Sequence, residues 1–145
     1  MNKPLIGQAG VYHVASELSL RGMVATVTTR NTAGADILVA DKAGTHFAFL
    51  QVKTSKSKVT FWPLGDNPST WIGEHCHYVF VRRVKGTWEV FLERAAVVAQ
   101  ESEANDRAAL KRGNKPWSPW WALTGQDASA GAEERTRRQW EEFDL

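Results

Sequence analysis

Two short apolar runs on either side of a polar turn constrain this chain more than any other stretch. Asp36-Ile37-Leu38-Val39-Ala40 and His46-Phe47-Ala48-Phe49-Leu50-Gln51-Val52-Lys53-Thr54-Ser55 flank Asp41-Lys42-Ala43-Gly44-Thr45. β-Branched and aromatic residues around a glycine-containing turn are a hairpin signature. Alternation puts Phe47, Phe49, Gln51 and Lys53 on one face of the second strand, with Ala48, Leu50 and Val52 on the other. A two-residue loop at Ala43-Gly44 places Asp36 opposite Gln51, and directly opposed residues point to the same side of a sheet. A bulge at Gly44 would shift that register by one. A carboxylate, a carboxamide and an ammonium therefore meet on a face that also carries Leu38, Phe47 and Phe49. Polar groups set among buried apolar ones cost free energy unless they bind something, so this is the first candidate site. The alternative is a solvated face with a surface Asp36–Lys53 pair, which contributes little to stability.

At 145 residues the chain suits one domain with a single core. The net charge is only +2, so nucleic-acid binding would need a local basic surface. The single cysteine excludes an internal disulfide and a Cys-rich zinc site, and fits a reducing, cytoplasmic setting. Nothing near the N-terminus is long or apolar enough for a signal peptide or membrane span, so no membrane partner is expected. The unusual number is seven tryptophans, crowded between Trp88 and Trp121.

The spacing of Val11, Val14, Ala15 and Leu18 predicts a helix over about residues 4–21, with Pro4 in its first turn and Gly22 as its stop. Glu17 lies at the edge of that stripe, one turn after His13, facing the sheet or solvent. Met23 to Thr29 reads as a strand and Arg30 to Gly34 as a loop. After Lys53, the run Thr54-Ser55-Lys56-Ser57-Lys58 offers hydroxyls and ammonium groups to phosphates, or is a solvated basic strand end. Val59 to Trp62 is a further short extended piece, and Pro63 to Ser69 a loop. In Glu74-His75-Cys76-His77, alternation separates Cys76 from two histidines on one face, and no second ligand pair completes a metal site. His77 to Val84 and Thr87 to Leu92, joined at Lys85-Gly86, form a hairpin at the sheet's edge. Ala95 to Lys111 is helical. The segment from Asn114 to Trp121 is neither helix nor central strand; it covers the core or stacks on bases. Residues 114–145 thus form a Trp-rich segment, a flexible linker from Gly125 to Gly131 and a closing helix from Ala132 to Phe143. The charges of that helix balance, which reads as a solvated surface.

Asp36, followed on the next strand by Gln51-Val52-Lys53, resembles the PD-(D/E)XK nuclease superfamily in the variant whose middle acid is Gln. The order of a helix with Ala15-Ser16-Glu17-Leu18, then Gly22, a strand, Gly34-Ala35-Asp36-Ile37-Leu38-Val39 and Leu50-Gln51-Val52-Lys53-Thr54-Ser55 looks like small bacterial and phage members. Ala35 stands where the eponymous proline would be. The resemblance implies an α/β fold with a restriction-endonuclease-like core, a mixed central sheet flanked by helices. It also implies a metal-dependent nuclease, an endonuclease on DNA that uses Mg2+ or Mn2+. In such a site Asp36 is the direct ligand, Gln51 and the Val52 main-chain carbonyl are further oxygen donors, and Lys53 orients the attacking water. In similar proteins a helix acid often follows the glycine that here is Gly10. Val11 occupies that position, so Glu17, acting through water, is the substitute. Thr54, Ser55, Lys56 and Lys58 would then meet the nucleic acid, and a homodimer would suit double-strand cutting. A non-catalytic nucleic-acid- or protein-binding domain on the same fold is the alternative.

Overall fold

Helix α1 shows how local chemistry sets an element. In this computed structural model, which describes residues 3–29, 34–65, 67–114 and 119–145, α1 spans Lys3–Leu20. Gly22 follows at φ +88°, donating to Ser19 O at 3.0 Å while Met23 N–H reaches back to Leu18 O at 3.1 Å. That is a Schellman stop, whose left-handed position favours glycine. Met23 and Leu18 both enter the core beside it.

A five-stranded sheet follows, in the order β1-β2-β3-β5-β6. Its strands are β1 (Val24–Val27), β2 (Ile37–Ala40), β3 (Phe47–Ser55), β5 (Cys76–Val84) and β6 (Thr87–Arg94). β3 and β5 run parallel and the other neighbours antiparallel, so the sheet is mixed. β5 and β6 turn at Lys85 and Gly86, both at positive φ (50° and 77°), with Val84 opposite Thr87. This is the geometry of a two-residue type I′ hairpin. A parallel pair needs a crossover. Here it contains β4 (Phe61–Pro63) and a single 3-10 turn, Pro68–Thr70, where a full helix would be usual. Helix α2 (Ala95–Lys111), β7 (Trp120–Ala122) and α3 (Ala132–Glu141) complete the chain, and β7 pairs with β4 in a separate two-stranded ribbon.

Two apolar layers sandwich the sheet. Val14 and Leu18 of α1 and Trp140 of α3 pack on Ile37, Leu50, Val79 and Val81 on one side. On the other, Tyr78, Phe80 and Phe91 meet Val98 of α2 together with Trp62, Leu64 and Trp121 of the β4–β7 ribbon. Trp121 is fully buried, with its ring stacked on Phe80 at 4.3 Å. The covering role expected of the Trp-rich segment is thus met at Trp121, while Pro116 and Trp117 lie outside the described residues. Among the described residues no helix is long and apolar enough to cross a membrane.

Three expectations are corrected. The charged face of α3 is not simply solvated: Arg135 reaches Glu93 and Glu101, each at 3.0 Å, and Arg137 reaches Glu89 at 3.3 Å. Glu93 is only 2% exposed, and burial makes such a carboxylate dependent on its cation. His75 and His77 do not share a face, because His75 stacks on Phe47 while His77 meets Phe143 on the α3 side. The apolar neighbours of the candidate site are not buried either: Leu38 is 40% and Phe47 45% exposed. Alternation assigns residues to a face, but no helix or ribbon covers this part of it.

Candidate functional site at the β2–β3 edge

The hairpin has the predicted register, with Ile37 opposite Leu50 and Leu38 opposite Phe49. Its loop is two residues longer than expected. Asp41 N–H donates to His46 O, and the turn closes from Gly44 N–H to Asp41 O, each at 3.0 Å. The longer loop keeps the same centre, so the strand faces are unchanged.

The ladder departs from this register at Asp36. Its N–H donates to Leu50 O at 2.8 Å, and its carboxylate Oδ2 accepts the Val52 N–H at 2.7 Å. The side chain thereby replaces main chain where β2 has ended. Asp36 is not simply opposite Gln51, because its carboxylate reaches past that residue into the gap between the strands. Gln51 is held separately, its Nε2 donating to Gly34 O at 2.7 Å. Lys53 Nζ donates to Leu64 O at 2.9 Å. Leu64 N–H in turn donates to Pro119 O at 2.9 Å, so the β4–β7 ribbon supports the lysine. Burial pushes the Asp36 carboxyl above the usual carboxylate range, opposed by the Val52 N–H and the Lys53 charge.

Helix α1 supplies the other wall. A cleft of about 220 Å³ at Asp36 is lined by Gln8 and Val11 of α1 and by Val27, Thr28 and Thr29. Val11 thus sits where a helix acid would face Asp36. Glu17 does not line this cleft: it lies six residues farther along α1, about 9 Å on the helix axis, and its charge acts on His13. That imidazole stacks on Trp88. Gln8 escaped the sequence reading, although its i, i+3 spacing from Val11 places the two on one helix face.

α1 approaches β3 closely at Gly10, where an added Cβ would stand 2.0 Å from Thr54 Oγ1. This corrects the expectation for Thr54. Its hydroxyl is sealed under α1 with no hydrogen-bond partner among the described residues, so it does not face a ligand. Ser55 is half-buried, whereas Lys56 and Lys58 are exposed beyond the strand end.

The donor set is narrow. Asp36 retains one oxygen beyond the Val52 bond, and Gln51 retains its amide oxygen. The Val52 carbonyl leaves β3 on the same edge as its N–H, toward Asp36. These hard oxygens fit Mg2+ or Mn2+, and affinity for such ions falls as carboxylates are lost. Among the described residues no group of three or more His, Cys, Asp or Glu side chains is placed to hold a metal ion. No family model matches the chain, and neither a curated protein nor a solved structure matches it.

Proposed function

We propose that the β2–β3 edge is a weakly metal-binding phosphodiesterase site, and that the protein is a DNA endonuclease using Mg2+ or Mn2+. The observation that carries this reading is the Asp36 carboxylate, half-buried and fixed on the Val52 N–H within the electrostatic reach of Lys53. A divalent ion bound there would activate water and offset charge on the scissile phosphate. Asp36 and the amide oxygen of Gln51 would hold it, with the Val52 carbonyl as the third donor. Lys53 presents an ammonium that binds a phosphate oxygen and orients the attacking water. Lys56 and Lys58 grip neighbouring phosphates, a contact that sets position rather than sequence preference.

A second reading, a non-catalytic nucleic-acid- or protein-binding domain, is favoured by Val11 in the cleft and by the single carboxylate there. Cleavage of plasmid, linear duplex and single-stranded DNA with Mg2+, Mn2+ or chelator separates the two. Under the nuclease reading, Asp36→Ala and Lys53→Ala each lower metal-dependent cleavage by about 100-fold or more, whereas Glu17→Gln leaves it nearly unchanged. Cleavage that survives Lys53→Ala would refute the assigned mechanism. Absence of cleavage by the folded wild type on every substrate would transfer the assignment to the binding module.

A further inference from the structure

The uncovered face of β1, β2 and β3 adjoins the candidate site and has no role in the chemistry above. The strand registers align Val24, Ala40 and Phe47 in one row and Thr26, Leu38 and Phe49 in the next. They line a shallow groove of about 270 Å³. Continuing along the same face of β3, Gln51 and Lys53 occupy the next two same-side positions. Same-side residues on a strand recur at about 6.7 Å, which allows one planar ring per row. The Phe47 ring already stacks on His75 at 4.3 Å and 29° and meets Phe49 edge-on at 5.6 Å.

We propose that this face is a stacking platform for the unpaired bases of single-stranded nucleic acid, which it delivers to the Asp36–Lys53 site. The inference rests on the reading that this site meets nucleic acid, and it specifies the strand form: unpaired rather than duplex. Three observations select this occupant over another apolar partner. The face is continuous with the candidate site along one strand. Its two rows carry no carboxylate, Asp41 at the turn end is engaged by Thr45 and His46, and the exposed Glu74 pairs with His75 at 3.2 Å. Lys53 follows on the same face of β3, and the exposed Lys56 and Lys58 come just past the strand end, so cations succeed the aromatic rings along the chain. Stacking on aromatic side chains tolerates any base, while a basic groove tracks the backbone.

Binding is measured by fluorescence anisotropy with a labelled thymidine oligonucleotide and its duplex counterpart, in chelator so that cleavage plays no part. The full chain binds the single strand more tightly than the duplex. Phe47→Ala weakens the single-strand affinity about tenfold, and Phe47→Tyr restores it. Unchanged circular dichroism shows that the variants are folded, as suits a side chain that is nearly half exposed. Equal affinity of Phe47→Ala and wild type would overturn the proposal, as would preference for duplex or no binding at all. Self-association of the wild type that Phe47→Ala abolishes, without oligonucleotide binding, would assign the face to a second copy of the chain instead. Loss of binding in Phe47→Ala, with no metal-dependent cleavage by wild type, would remove the nuclease reading and leave the platform standing. Asp36-dependent cleavage with no effect of Phe47→Ala would do the reverse.

Discussion

The close approach of α1 to β3 predicts opposite outcomes for one substitution at two positions of the same helix. Replacing a helical glycine by alanine gains about 0.5–1 kcal/mol where space permits, because the unfolded chain loses freedom and the helix is favoured. Gly7 has nothing within 4 Å of an added Cβ, so Gly7→Ala should realise that gain. At Gly10 the new methyl would meet Thr54 Oγ1, Cγ2 and Cβ at 2.0, 2.8 and 2.9 Å. Thr54 lies within the β3–β5 ladder opposite Val81, and its own Cβ is among the atoms met, so α1 must move instead. Overpacking of this kind costs about 1–3 kcal/mol. With three atoms inside contact distance the upper part of that range applies, and the net loss is about 1–2 kcal/mol after the helix gain. For a chain of this size that lowers the melting temperature by about 3–6 °C. Thermal and urea denaturation of both variants, with Gly10→Ala/Thr54→Ala alongside, measures it. The double variant should recover about 1 kcal/mol, because only the 2.9 Å contact remains. A Gly10→Ala protein at least as stable as Gly7→Ala would refute the packing argument.

Asp36 gives a pH prediction. Burial raises its folded carboxyl above the unfolded value, so its contribution to stability is full below the unfolded value and lost as pH rises through the folded one. Asp36→Asn should therefore match or exceed wild-type stability at neutral pH, and its advantage should shrink on acidification, as denaturation at pH 3 to 8 would reveal. Arg135→Ala strips Glu93 and Glu101 of their cation and should cost about 2–3 kcal/mol by urea denaturation, allowing for the partial exposure of Arg135. Arg138→Ala, removing an exposed pair with Glu134, should cost no more than about 0.5 kcal/mol in the same assay. Lys85→Asn relieves a left-handed position that asparagine tolerates better, and should raise stability by about 1 kcal/mol in the same assay.

The β2–β3 hairpin was legible in the sequence because alternation and turn chemistry act over a few residues, and α2 was legible for the same reason. Alternation also grouped Leu38, Phe47 and Phe49 correctly on one face. It could not tell that the face is bare, since cover comes from elements elsewhere in the chain. The misreading of α3 has the same origin: Glu93 and Glu101 lie 42 and 34 residues from Arg135. In the site, Asp36, Gln51 and Lys53 carried a readable pattern. Their supports did not, because the Val52 N–H and the Gly34 and Leu64 carbonyls are main-chain groups, which carry no mark of residue type beyond the exclusion of proline at the N–H.

The tether from Lys53 to Leu64, and from Leu64 to Pro119, gives the last third of the chain remote control over one ammonium. The ribbon holding that tether is seated by Trp62 and Trp121, and the Trp121 indole is fastened to Glu101 of α2 at 2.8 Å. A fragment ending after α2 would keep every residue of the Asp36–Lys53 pattern and the hairpin that presents it. It would lose the acceptor for the Leu64 N–H and the tryptophan beneath the ribbon, so the loop whose Leu64 carbonyl accepts from Lys53 would lose its support. The Asp36–Lys53 pattern is written within a short stretch of the chain, but the loop that meets its lysine is seated by Trp62 and by Trp121, far beyond it.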